Sequence, residues 1–175
     1  CLRTWPGRTL SDSCVSTALI TKPSSSSNRV ASASDRPKTS GTTFIPQAPL
    51  ECTLPRKVDN VAIRFPELKI IMAHLGHPYE GECIATFRKH PNVWADISAL
   101  FYRPWSQWEC FRYATEWSVL HKMLFGTDFP VATVEETIAG TRRVNDVVQG
   151  TALPRVPDEE IEKIATALRD TYKVA

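Results

Sequence analysis

The chain has 175 residues, 42% of them hydrophobic and 23% charged, with a net charge of +2. That length holds one domain with a core, and no apolar run nears the roughly 20 residues that a membrane-spanning helix requires. The charge is too small to argue for nucleic acid, and no aromatic-and-basic cluster supports such a partner.

Residues 1–40 include "TKPSSSSNRVASASDRPKTSG", which is rich in serine, poor in large apolar residues and without helical or strand periodicity. The reading for this segment is a disordered tail. Arg3, Arg8, Arg29 and Arg36 stand against only Asp12 and Asp35, a balance that also suits an organelle transit peptide. A cytoplasmic protein is the expectation, with organelle targeting as the alternative. Cys1, Cys14, Cys52, Cys83 and Cys110 form no CxxC pair and no regular spacing, so they read as reduced structural thiols. The first residue is Cys rather than Met, which suggests a processed product or an incomplete sequence.

From about residue 58 the pattern becomes a regular alternation. "LKIIMAHLG" is a nearly continuous apolar run ending at Gly76 and Pro78, as expected for a strand buried on both faces. "EGECIATFRKH" reads as a short helix ending before Pro91. "NVWADISAL" is the next strand, and "PWSQWECFRYATEWSVLH" the next helix, with Pro104 suited to its first turn and Trp105, Trp108 and Phe111 on one side. "HKMLFGTDFP" is a third strand. The helix at "TVEETIAGTRRVNDVVQ" opens with Thr133 and Glu136 at capping-box spacing. Ile161, Ile164, Ala165, Leu168 and Tyr172 form the apolar stripe of a last helix. Such β-α-β-α-β-α order calls for a parallel sheet with helices packed outside it.

Ligand sites in parallel α/β folds lie beyond the carboxyl ends of the strands, where the loops converge. The first strand end carries His74, with His77 just beyond; the second carries Asp96 and Ser98; the third carries Asp128. A histidine and a carboxylate at neighbouring strand ends can hold a divalent metal or trade protons with a substrate. Each also has a plainer reading. His74 could simply bond a neighbouring loop, and Asp128 could accept backbone N–H bonds within its own turn. Asp96 and Ser98 read as structural, His77 as a turn residue, and His90 and His121 as solvated or capping groups. Trp105, Trp108 and Trp117 read as packing residues, and Arg103 as a group that could meet a substrate carboxylate.

The runs "VAIRFPELKIIMAHLGHP", "FRKHPNVWADISALFYRPW" and "KMLFGTDFP", in that order, resemble the C-terminal half of the amidohydrolase-related family, in particular the branch of aminocarboxymuconate-semialdehyde and resorcylate-type decarboxylases. The resemblance covers residues 41–175 and begins at "GTTFIPQAPL". It implies about the last three or four β/α units of a (β/α)8 TIM barrel, a partial barrel following the 1–40 tail. It further implies a metal-dependent hydrolase or decarboxylase of small carbonyl or carboxylate substrates, with zinc the first choice of metal. On it, Asp128 matches the family's metal ligand and proton shuttle, and His74 its metal-site or substrate-facing histidine. A metal lowers the pKa of its bound water, and a nearby carboxylate can then deprotonate that water.

The family's H-x-H pair has no counterpart in the chain, and "RPKTSGTTF" holds no histidine where the family carries one. Catalytic zinc takes three protein ligands; Asp128 and His74 supply two. Two readings follow. One is an amidohydrolase-related hydrolase or decarboxylase acting on a small molecule. The other is a truncated chain, inactive alone, whose exposed sheet edges pair with a second copy or another partner.

Overall fold

The computed structural model describes residues 19–21 and 49–167, with only the backbone of 19–21. Among the described residues, four strands form one sheet: β1 (Leu19–Thr21), β2 (Lys69–Met72), β3 (Val93–Asp96) and β4 (Met123–Leu124), in that spatial order. Five α-helices accompany them among the same residues: α1 (Arg56–Arg64), α2 (Glu80–Lys89), α3 (Pro104–Glu116), α4 (Val134–Arg142) and α5 (Asp158–Thr166). The β2, β3 and β4 strands are parallel, with Met72 opposite Ala95 and Asp96 opposite Leu124. This is the expected partial (β/α) barrel. β1 belongs to the serine-rich segment, for which no periodicity gave a strand. It pairs antiparallel with β2, Ile20 opposite Ile70, and so covers an edge that would otherwise present unpaired backbone groups. The rest of the 1–40 segment lies outside the described residues.

The strand at Lys69–Met72 differs from its expectation. Ile70 and Met72 are buried completely, whereas Ile71 between them is half-buried. Val93 and Ala95 of β3 are likewise buried, with Trp94 and Asp96 half-buried. Alternate side chains of a strand point to opposite faces. One face therefore packs into the core with Val58, Ile84, Phe87 and Phe111 of the helices, and the other carries Ile71, Trp94 and Asp96. Burying side chains such as Phe87 and Phe111 contributes about 1.5–3 kcal/mol each.

Helix α1 was not drawn from the sequence. Its signal is the spacing of Val58, Val61, Ala62 and Phe65, an i, i+3, i+4, i+7 stripe that begins just after Pro55. α2 buries Cys83, Ile84 and Phe87 and ends before Pro91 as expected. α3 starts with Pro104 at its first turn but stops at Glu116 rather than running to residue 121. Ser118 takes a φ of 55°, and Leu120–Lys122 form a separate 3₁₀ turn leading into β4.

α4 carries the full capping box: Thr133 Oγ1 accepts from the Glu136 N–H at 3.2 Å, and Glu136 Oε2 accepts from the Thr133 N–H at 2.8 Å. It ends at Arg142, short of residue 149. The buried Asn145 then clips the chain to Val156, donating to its carbonyl at 2.8 Å and accepting from its N–H at 2.9 Å. α5 buries Ile161, Ile164 and Ala165 against α4. Leu168 and Tyr172, the rest of that stripe, lie outside the described residues.

The tryptophans separate. Trp108 is buried and donates its indole N–H to the Pro154 carbonyl at 3.1 Å. Trp117 is half-buried against the core. Trp105 is 54% exposed and is thus not the packing residue that the sequence suggested.

Candidate functional site

The sequence brings the chain out of β2 at Met72 and turns it sharply. His74, Leu75 and Gly76 have φ values of 52°, 47° and 67° in one 3₁₀-like turn. Such left-handed conformations cost non-glycine residues about 1–3 kcal/mol and cluster at functional sites. Gly76 is required here on two counts: its positive φ, and a Cβ that would lie 2.8 Å from Pro55 Cγ and 2.9 Å from Cys83 Cβ. Ala99, beyond β3, and Asp128, beyond β4, also have positive φ, 59° and 64°. All three consecutive strand ends are therefore bent in the same way.

The turn presents His74 to the end of β3. The His74 N–H donates to Asp96 Oδ1 at 3.0 Å, and the Ser98 N–H donates to the same oxygen at 3.0 Å. The Ser98 hydroxyl makes a short hydrogen bond to it as well. His74 Nδ1 lies 2.7 Å from Ser98 Oγ and 3.3 Å from the Ser98 carbonyl oxygen. Asp96 and Ser98, read as structural from the sequence, thus build the cradle of the histidine. His74 Nε2 has no hydrogen-bond partner among the described residues.

The third strand end is joined to this group through Gly126. A Cβ there would stand 3.2 Å from Ser98 Cβ and 3.4 Å from Asp96 Cβ, so the β4 backbone lies close against both side chains and a larger residue would press on Ser98. Two residues on, Asp128 is half-buried. Its turn is held by the Val131 N–H donating to the Asp128 carbonyl at 2.8 Å and the Phe129 N–H donating to Thr127 Oγ1 at 3.2 Å. The Asp128 carboxylate does not hold that turn, and it makes no hydrogen bond or ion pair among the described residues.

The other candidates lie apart from this group. His77 Nδ1 is 2.5 Å from Glu80 Oε1 in the turn before α2. His90 is buried rather than solvated, with Nε2 2.6 Å from Asp59 Oδ1. His121 is exposed. Arg103 is engaged by the Ala99 carbonyl and stacks 4.7 Å from the Tyr102 ring. Cys83 and Cys110 are buried thiols whose pKa values burial pushes well up, which makes them inert. A cleft of about 410 Å³ opens elsewhere, at Arg56, Glu80, Glu82 and Glu109, and none of the strand-end residues lines it.

Gly126 and Lys122 are contributions that sequence reasoning missed. Lys122 is buried beneath β4, where its ammonium donates to the Phe87 carbonyl at 2.7 Å and to the His90 carbonyl. Burial lowers its pKa. A lysine at the entry to an apolar strand was the available signal.

Three consecutive parallel strands with helices between them, and polar groups gathered at the strands' carboxyl ends, define a TIM-barrel-type α/β protein. The sequence model of the family described as Amidohydrolase matches residues 19–166. The chain belongs to that amidohydrolase family. Among solved structures it is similar to an uncharacterised TIM-barrel protein from Bordetella bronchiseptica, with a TM-score of 0.54 and 23% sequence identity over 75% of this chain. The match covers 42% of that protein's chain, so the present chain spans less than half of its length. No curated protein matches the sequence. No helix among the described residues is long and apolar enough to cross a membrane.

Amidohydrolases generally use divalent metal ions, and the donors present test that expectation here. No group of three His, Cys, Asp or Glu side chains that could hold a metal occurs among the described residues. His74 Nε2 and the Asp128 carboxylate are two donors, one fewer than a catalytic zinc takes. The described residues do not by themselves fit such a centre.

Proposed function

We propose that the chain carries part of the active site of a hydrolase or decarboxylase acting on a small carbonyl or carboxylate substrate, in the manner of the aminocarboxymuconate-semialdehyde decarboxylase branch. His74 exchanges a proton with the substrate or its attacking water at Nε2. Asp128 supplies the carboxylate that orients the reacting group or, where zinc is held, ligates it. The observation that carries this reading is the His74 cradle: a ring fixed by Ser98 and Asp96 at a strand end, with its outer nitrogen unengaged. Asp128, left-handed and with its carboxylate unengaged among the described residues, supports it at the neighbouring strand end.

The test is a screen of carboxylic acid, amide and ester substrates with the purified chain, its Asp128→Asn and its His74→Gln, alongside elemental analysis for Zn²⁺ and Mn²⁺. Asp128→Asn keeps a residue that tolerates positive φ, so its stability is expected to stay within about 0.5 kcal/mol of wild type. Activity is expected to fall by at least about 100-fold, the usual worth of a proton-transfer group. Unchanged turnover in both variants, without stoichiometric metal, would remove the reading.

A second reading has its own observation. Tyr102, Trp105, Phe129 and Val131, at the β3 and β4 ends, are 44%, 54%, 80% and 66% exposed. Large exposed apolar side chains at one end of a molecule suit contact with a second copy of the chain. Sedimentation velocity checks this: a strictly monomeric species at micromolar concentration would rule it out.

A further inference from the structure

We infer that Ser98 and Asp96 are positioning residues that lock neutral His74 in its Nδ1–H tautomer and thereby assign the proton-accepting lone pair to Nε2. Proton bookkeeping around one oxygen carries the argument. The Ser98 carbonyl oxygen, 3.3 Å from His74 Nδ1, can only accept. Ser98 Oγ, 2.7 Å from the same nitrogen, can donate one proton and accept others. Its own proton goes to Asp96 Oδ1, which can only accept. Were that proton turned toward Nδ1, Oγ and Oδ1 would face each other as bare acceptors at close range. The Nδ1 lone pair would also face the Ser98 carbonyl. Both repulsions vanish when Nδ1 carries the hydrogen.

The rest of the cradle fixes the same arrangement. Asp96 Oδ1 gathers the backbone N–H groups of His74 and Ser98 at 3.0 Å each, so the carboxylate, the hydroxyl and the ring are tied to one point. Three donors therefore converge on that one oxygen. The backbone of Gly126 lies close against the Asp96 and Ser98 side chains on the β4 side. A neutral imidazole has one N–H; with that hydrogen on Nδ1, Nε2 holds a lone pair. When Nε2 takes a proton from a substrate or a water, that group keeps the bonding electron pair and the ring becomes a cation. The Nδ1–H bond to Ser98 stays intact throughout, and no proton passes along the Asp96–Ser98–His74 series.

What Nε2 does chemically rests on the proposed function above; the tautomer itself does not. The experiment is a long-range ¹H–¹⁵N correlation of the imidazole rings in the full chain labelled with ¹⁵N-histidine, at a pH where His74 is neutral, with His74→Gln assigning the signals. The expected result is a proton-bearing Nδ1 and a bare Nε2 for His74. Ser98→Ala should convert this to a mixture containing Nε2–H, while Ser98→Thr, which keeps the hydroxyl, should restore the single form. A wild-type His74 with Nε2–H, or a Ser98→Ala ring that keeps its Nδ1–H form unchanged, overturns the inference. The wild-type spectrum decides the matter even if the alanine variant fails to fold. Where turnover is found, Ser98→Ala is expected to lower kcat by about 10–100-fold, the usual worth of a group that orients a reacting or ligating histidine. An inactive chain with the Nδ1–H spectrum removes the proposed function and leaves the tautomer standing; an active chain with the opposite tautomer does the reverse.

Discussion

Gly140→Ala sets local propensity against packing. On propensity alone, alanine in the interior of α4 should stabilise the helix by about 0.8–1.0 kcal/mol. The structure places a Cβ at that position 2.4 Å from Phe101 Cδ2 and 2.6 Å from both Phe101 Cγ and Cβ. Turning the ring would move Cδ2 away, but Phe101 Cβ is fixed to its backbone. Relief from 2.6 Å to the 3.4 Å at which ordinary contact begins therefore requires α4 to part from the β3–α3 loop. Overpacking of this kind costs about 1–3 kcal/mol, and contacts as close as these belong at its upper end, which leaves a net loss of up to roughly 2 kcal/mol after the propensity gain. A loss of 1 kcal/mol lowers the melting temperature by about 2–4 °C in a domain of this size. Gly81→Ala is the control, since that glycine is also helical, is exposed, and has nothing within 4 Å of its would-be Cβ. Thermal unfolding followed by circular dichroism should show Gly81→Ala raising the transition and Gly140→Ala lowering it. A Gly140→Ala chain that melts as high as Gly81→Ala would refute the packing of α4 on Phe101.

Two further outcomes test other parts of the fold. Lys122→Met strips the Phe87 and His90 carbonyls at the end of α2 of their buried ammonium donor, at a cost of about 1–3 kcal/mol by denaturant titration; an unchanged midpoint would contradict the burial of that ammonium. The Asp59 carboxyl is held below its ordinary range, first by the hydrogen bond from Lys89, opposed by burial, with His90 adding to the lowering. A depressed carboxyl stabilises the fold fully above its unfolded value of about 3.9 and loses that contribution as pH falls through its folded value. Asp59→Asn should therefore melt below wild type at pH 6, and the gap should begin to narrow as pH falls below about 4; a gap that does not narrow at all down to pH 2 would show that the loss is not electrostatic.

Much of the molecule is legible in short stretches of sequence because the forces involved act within one turn or one pleat. Pro104 opens α3, Thr133 and Glu136 cap α4, and Ile161, Ile164 and Ala165 mark the buried side of α5, each through neighbours three or four residues apart. The strand and helix alternation, and hence His74 and Asp128 beyond their strands, follows from the same short periods. Tertiary structure decided what spans greater separations. His74 meets Asp96 and Ser98 across 22 and 24 residues, and Lys122 reaches the Phe87 and His90 carbonyls across 35 and 32. Those contacts depend on strand register, Met72 against Ala95 and Asp96 against Leu124, which no local pattern records. A slip of one residue would turn Asp96 to the opposite face and take the carboxylate from the histidine. The sequence alone determined which residues stand at the strand ends; strand register decided that His74, Asp96 and Ser98 meet.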